Sequence, residues 1–161
     1  DILWVQRVLT DTWGLESPWA LISVTGAAST NTIELSTAQL EEFKRGLLAC
    51  ARSSNAWVVT GGTDSGVMGL VGKAMAQQST DEQGVCLGVT TYGVVRGHED
   101  FDLLQERTGN KGVERVHAYD THALRRDDRP GPRANLDQNH SHFILVDAGC
   151  DASGKFGKEI K

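Results

Sequence analysis

The sequence predicts an α/β domain built on a mainly parallel sheet, and three observations carry that expectation. Short, almost unbroken apolar runs occupy residues 19–25, 56–60, 85–89 and 143–147. Segments with helical spacing separate the first three. A glycine-rich turn joins the second run to the helical pattern that follows it. Runs that are apolar on successive residues are those of strands buried on both faces of a parallel sheet, and their alternation with helices implies right-handed crossovers. At 161 residues, 39% hydrophobic and 23% charged, the whole chain suits one domain with its own core.

Each element has a local reason. Ile2, Val5, Val8 and Leu9 share one side of a helix over residues 2–12, which Gly14 ends, with Pro18 beyond it. Pro18 and Gly26 bound the first strand. Ser36 and Gln39 form a capping box that opens a helix with Leu40, Phe43, Leu47, Leu48 and Ala51 as its apolar stripe. After the second strand and the glycine elbow, a helix is expected over residues 67–78, then the third strand, and much later the fourth.

The long stretch 93–139 reads as a polar insertion within the domain, weakly periodic and carrying Pro130 and Pro132. Between Val94 and Asn135 it holds eight Lys or Arg and eight Asp or Glu, a balance that fits a solvated insertion or an arm that closes over a ligand.

Several functions are excluded by composition. A net charge of −5 argues against nucleic-acid partners and against direct contact with an anionic membrane, and no apolar run reaches the roughly 20 residues of a membrane span. Cys50, Cys86 and Cys150 are odd in number and widely spaced, so a reducing compartment is expected, with each thiol a small buried side chain. The chain starts on Asp1 and reads as a piece of a longer protein. Trp4, Trp13, Trp19 and Trp57 read as packing residues. His140 and His142, with Asp137 and Asp147 nearby, lack a third ligand at metal spacing.

The elbow Gly61-Gly62-Thr63-Asp64-Ser65-Gly66 places free backbone N–H groups and the positive end of a helix together, an arrangement that suits a phosphate. Val67 and Met68 stand where a P-loop needs Lys and Ser or Thr, so triphosphate hydrolysis is not supported, and the spacing is not that of a dinucleotide fingerprint. Asp64 would repel a phosphate unless its side chain turns away. A tight turn without any ligand accounts for the same residues equally well.

The elbow, continued through Val67-Met68-Gly69, resembles the Gly-Gly-Gly-x-x-Gly-Leu-Met-Gly motif of cytokinin-activating phosphoribohydrolases, members of the Rossmann-like SLOG superfamily. The blocks Leu21-Ile-Ser-Val-Thr-Gly26, Asn55-Ala-Trp-Val-Val-Thr-Gly-Gly-Thr63, Leu136-Asp-Gln-Asn-His-Ser-His-Phe-Ile-Leu-Val-Asp147 and Gly154-Lys-Phe-Gly-Lys-Glu-Ile160 are similar, in order, to the N-terminal cytosolic homology region of melastatin-type transient receptor potential channels.

That resemblance implies a SLOG module on the cytoplasmic side of a calcium-permeable cation channel. It would need no cofactor, would bind ADP-ribose or a related adenine nucleotide, and would contact neighbouring domains and subunits. By position it implies a ligand cleft of Thr25, Gly26, Ala27, Gly61, Gly62, Thr63, Ser65, Gly66, Val67, Tyr92 and Gly93, with Tyr119 approaching from the insertion. It also implies that His140 and His142 are a structural, hydrogen-bonded pair. Ala27, Ala28 and Ser29 replace a family pattern of Gly, Ala and Lys, removing a possible phosphate cation. Two alternatives stand beside the nucleotide sensor. One is a phosphoribohydrolase-like enzyme, although its second motif departs here to Asp147-Ala-Gly-Cys-Asp-Ala-Ser-Gly154, with Glu159 the replacement carboxylate in reach. The other is a ligand-free assembly module.

Overall fold

A computed structural model describes residues 2–28, 35–78, 84–98 and 133–146. The elements run α1 (Ile2–Arg7), a π-helical turn (Val8–Thr12), β1 (Ala20–Ser23), α2 (Thr37–Ser53), β2 (Ala56–Thr60), α3 (Gly66–Met75), β3 (Cys86–Thr91), a 3-10 turn (Tyr92–Val94) and β4 (His142–Val146). The strands form one four-stranded sheet in the order β1-β2-β3-β4, with every neighbouring pair parallel. This is the Rossmann-like α/β architecture that the alternating pattern predicts.

Register sorts the side chains, because residues alternate between the two faces of a strand. Ile22, Val58, Cys86 and the positions in register with them share one face. Against it pack Leu47 and Ala51 of α2 and Val71, Ala74 and Met75 of α3, forming the core. Val58, Val71 and Ala74 are wholly inaccessible; burying a valine side chain contributes about 1.5–3 kcal/mol. The capping box of α2 forms as expected: the Ser36 N–H donates to Gln39 Oε1 at 2.8 Å and the Gln39 N–H to Ser36 Oγ at 3.3 Å. Of the predicted stripe, Leu47 and Ala51 are buried and Phe43 and Leu48 half-buried against the same core.

The opposite face departs from expectation. It carries Leu21, Trp57, Val59, Leu87, Val89, His142 and Val146, and the Trp13 ring covers His142 at 4.8 Å. Trp19 and Leu21 remain 85% and 64% exposed. The strand predicted over residues 19–25 is therefore shorter, lies at the sheet edge, and is not buried on both faces, because α2 and α3 both pack on the side that Ile22 faces. Trp57 and Trp13 pack as expected and Trp19 does not; the side chain of Trp4 lies outside the described residues.

Other boundaries shift modestly. The first helix loosens into a π-turn, with the Trp13 N–H on the Val8 carbonyl at 2.9 Å, before Gly14 takes a positive φ of 67°. The helix expected over 67–78 ends at Met75. Cys86 is buried but Cys50 is exposed, contrary to the expectation that each thiol is buried. Cys150, the tail with Glu159, and most of the insertion, Tyr119 included, lie outside the described residues.

Candidate functional site

In an open parallel sheet the strand C-termini are the edge at which ligands bind, and that edge gathers all the described residues of the expected cleft. Thr25, Gly26 and Ala27 follow β1, residues 61–65 follow β2, Gly66 and Val67 start α3, and Tyr92 and Gly93 follow β3. The first two segments touch directly. The Val67 N–H donates to the Ala27 carbonyl at 3.1 Å, and a Cβ on Gly66 would lie 1.9 Å from that same oxygen.

This contact explains much of the glycine content. Gly66 has φ of 49° and Gly62 a φ of 71°, the left-handed region that glycine enters without penalty. A Cβ on Gly62 would lie 2.8 Å from the Gly88 Cα, so the elbow lies directly on the backbone of β3. Gly69 makes room for the Asp64 carboxyl group, whose Oδ1 would be 3.3 Å from a Cβ there. Asp64 thus folds half-buried along α3, which answers how a carboxylate is accommodated in the turn.

The expectation of several uncommitted N–H groups in the elbow is corrected. The Gly62 N–H donates to Thr60 Oγ1 at 2.9 Å, the Asp64 N–H to the Asn135 carbonyl at 2.8 Å, the Ser65 N–H to the Thr63 carbonyl at 2.8 Å, and the Val67 N–H to Ala27. A tight turn next to a returning chain satisfies its own backbone groups, as burial demands. Ser65 is the N-cap of α3 without a side-chain cap bond; its hydroxyl pairs instead with that of Thr63 at 2.8 Å. Tyr92 likewise has partners: its hydroxyl donates to the His98 carbonyl at 2.8 Å and its ring stacks on His98 at 4.9 Å. Gly93 beside it is buried.

Residues 133–140 supply a part of the site that sequence reasoning missed. Their first end is stitched to β3's exit, where the Ala134 N–H donates to the Val94 carbonyl, the Arg96 N–H to the Ala134 carbonyl, and Arg96 Nε to the Arg133 carbonyl. Thr63 and Leu136 form an antiparallel bridge, and the Asp137 N–H donates to the Gly62 carbonyl at 2.9 Å. The strap then turns and enters β4.

Within it lies a buried relay. Thr60 Oγ1 and His140 Nε2 are 2.7 Å apart, and His140 Nδ1 is 3.1 Å from Asp137 Oδ1, which also accepts the Asn139 N–H at 2.9 Å. With the carboxylate accepting, His140 Nδ1 is the donor, and a neutral ring then takes the Thr60 hydroxyl hydrogen at Nε2. The order Asp, His, Thr matches that of a nucleophilic triad. Thr60, His140 and Asp137 are nevertheless only 4%, 4% and 2% exposed, so no substrate reaches the hydroxyl and the relay is structural. Beneath it, burial and then the Asp137 charge push the Cys86 thiol up to about 12.

His140 and His142 do not form the expected pair. His142 contacts Ser141 Oγ at 2.9 Å and Trp13, sharing no partner with His140, and burial lowers its pKa below the usual value. No group of three or more potential metal-ligating residues occurs among the described residues. An open groove along α2, lined by Ala38, Glu42, Arg45 and Gln77 among others, includes none of the expected cleft residues. The signal for the relay was present as Asp137 and His140 three apart, but its third member, Thr60, is 80 residues away.

The family model described as SLOG in TRPM matches residues 3–161. Over 161 residues the chain is 39% identical to a transient receptor potential cation channel subfamily M member-like 2 of Nematostella vectensis, covering 97% of this chain and 9% of that protein. It is 33% identical to subfamily M member 2 of Mus musculus, with 97% and 10% covered, and 29% identical over 159 residues to a transient receptor potential channel of Caenorhabditis elegans, with 98% and 7% covered. The chain spans about a tenth or less of the length of these curated relatives.

Proposed function

This chain belongs to the SLOG domains of TRPM channels, and from that premise we propose that it is a regulatory domain on the cytoplasmic side of a calcium-permeable channel that binds ADP-ribose or a related adenine nucleotide. The observation that carries the reading is the convergence of the β1 and β2 exits at the start of α3, with Ala27 on the Val67 N–H. The helix start gives a favourable field for a pyrophosphate. The half-buried Ser65 hydroxyl beside it, bonded to the buried Thr63 hydroxyl rather than to the helix, exchanges that bond for one to an anion. Tyr92, Gly93 and, from the insertion, Tyr119 complete the cleft in this reading.

A second reading, a ligand-free assembly module contacting neighbouring domains or subunits, is favoured by the elbow amides already bonded within the chain and by the exposed Trp19 and Leu21. Thermal unfolding separates the two. ADP-ribose at 100 times its dissociation constant adds about 2.7 kcal/mol, which for a domain of this size raises the midpoint by about 5–10 °C. No shift at millimolar nucleotide leaves the assembly module. Chromatography of the same samples should recover the nucleotide intact; released base or ribose phosphate exceeding the protein, and abolished by Glu159→Gln, would make the chain an enzyme instead.

A further inference from the structure

Thr60 closes β2 and Gly62 follows two residues later in a left-handed conformation. The Gly62 N–H is bonded to the Thr60 hydroxyl, so the orientation of the peptide between Gly61 and Gly62 depends on where that hydroxyl is held. His140 holds it from the other side, and Asp137 holds His140. Asp137 is fixed in turn by the Asn139 N–H and by α3, where Gly72 lies so close that a Cβ would be 2.1 Å from Oδ1. The Gly62 carbonyl closes the circuit by accepting the Asp137 N–H. Both polar groups of Gly62 are thereby tied to one buried network reaching β2, the strap and α3.

We propose that Asp137, His140 and Thr60 are positioning residues for the ligand cleft: none touches the ligand, and together they set the conformation of the glycine elbow through Gly62. The proposal rests on the reading of the elbow as the nucleotide site and deepens it, because the strap that carries Asp137 and His140 is also the return of the long insertion. Arg133 and Ala134 at its head are bonded to residues 94–96, while Asn135 and Asp137 are bonded to the elbow. A change at the base of the insertion is therefore transmitted to the elbow by one short, hydrogen-bonded segment. A turn held only by its own glycines has no such dependence on a residue 80 positions away.

Thr60→Val keeps the shape of the side chain and removes the hydroxyl, leaving the Gly62 N–H and His140 Nε2 without their partner; Thr60→Ser restores it. In the 161-residue chain, nuclear magnetic resonance should find His140 protonated at Nδ1 and bare at Nε2. Gly62 amide exchange should accelerate by about tenfold in Thr60→Val, the order expected when a buried hydrogen bond is lost, and return toward the parent rate in Thr60→Ser. The ADP-ribose dissociation constant, measured by calorimetry, should weaken by about tenfold and recover in the same two variants. His140 protonated at Nε2 in the parent overturns the relay whether or not Thr60→Val folds. Faster Gly62 exchange with unchanged ADP-ribose affinity overturns the link to the cleft, as does unchanged exchange in a folded Thr60→Val. If the parent shows no ADP-ribose binding, the nucleotide reading fails on its own, and the His140 tautomer and Gly62 exchange still decide whether the relay sets the elbow.

Discussion

Gly72→Ala and Gly46→Ala are the same substitution inside two helices, and the packing predicts opposite signs for them. Ala exceeds Gly in helix propensity by about 0.8–1 kcal/mol, and at Gly46, where nothing beyond its own stretch of helix lies within 4 Å of the new methyl group, that gain stands alone. At Gly72 the methyl group would lie 2.1 Å from Asp137 Oδ1 and 2.6 Å from its Cγ. The carboxyl group must retreat by more than about 1 Å to reach ordinary contact distance, away from His140 Nδ1 and the Asn139 N–H. Hydrogen bonds to a charged acceptor contribute about 1.5–3 kcal/mol each. Weakening both, less the propensity gain, leaves Gly72→Ala less stable by about 2–4 kcal/mol. At about 2–4 °C per kcal/mol for a domain of this size, the midpoint falls by about 5–15 °C. Urea and thermal unfolding of the parent and both variants measure this directly. A Gly72→Ala protein as stable as Gly46→Ala would show that α3 does not press on a fixed carboxylate, and would refute the packing argument.

Other consequences follow from single side chains. Burial lowers the His142 pKa below 6.5, so the unfolded chain takes up this proton first as pH falls; its contribution to stability is complete above pH of about 6.5 and is lost as pH drops toward the folded-state value. Urea midpoints of the parent should fall across that window more steeply than those of His142→Gln, and identical slopes would contradict the assignment. With Cys150→Ser to simplify the count, a thiol reagent at pH 8 should modify the exposed Cys50 rapidly and Cys86, whose pKa is about 12, only on unfolding; two fast thiols would be the contrary result.

The strands and the amphipathic stripe of α2 were legible because each is written in residues close together in the chain: Ala56 to Thr60 for β2, Ser36 and Gln39 for the cap of α2. The grouping of residues 25–27, 61–67 and 92–93 after their strands came from the family resemblance, and the fold places them at one edge of the sheet. The exposure of Trp19 and Leu21 did not, since an apolar strand at the sheet edge reads the same as one buried on both faces. Nor did the use of the glycines. Gly62 and Gly66 look like a phosphate cradle in sequence, whereas each faces a long-range neighbour, Gly88 and Ala27 respectively, as Gly72 faces Asp137. His140 shows the same limit: its partner Thr60 belongs to a distant strand, and only the fold brings them within 2.7 Å.

The central claim, an adenine nucleotide held at the strand C-termini, is tested most directly by titrating ADP-ribose into the isotopically labelled chain and following its amide resonances. Saturable shifts are expected at Gly26, Ala27, residues 61–67 and Gly93, with the exposed side of α2 around Glu42 and Arg45 unchanged. Resonances that stay fixed at millimolar ADP-ribose, or saturable shifts confined to α2, would contradict it.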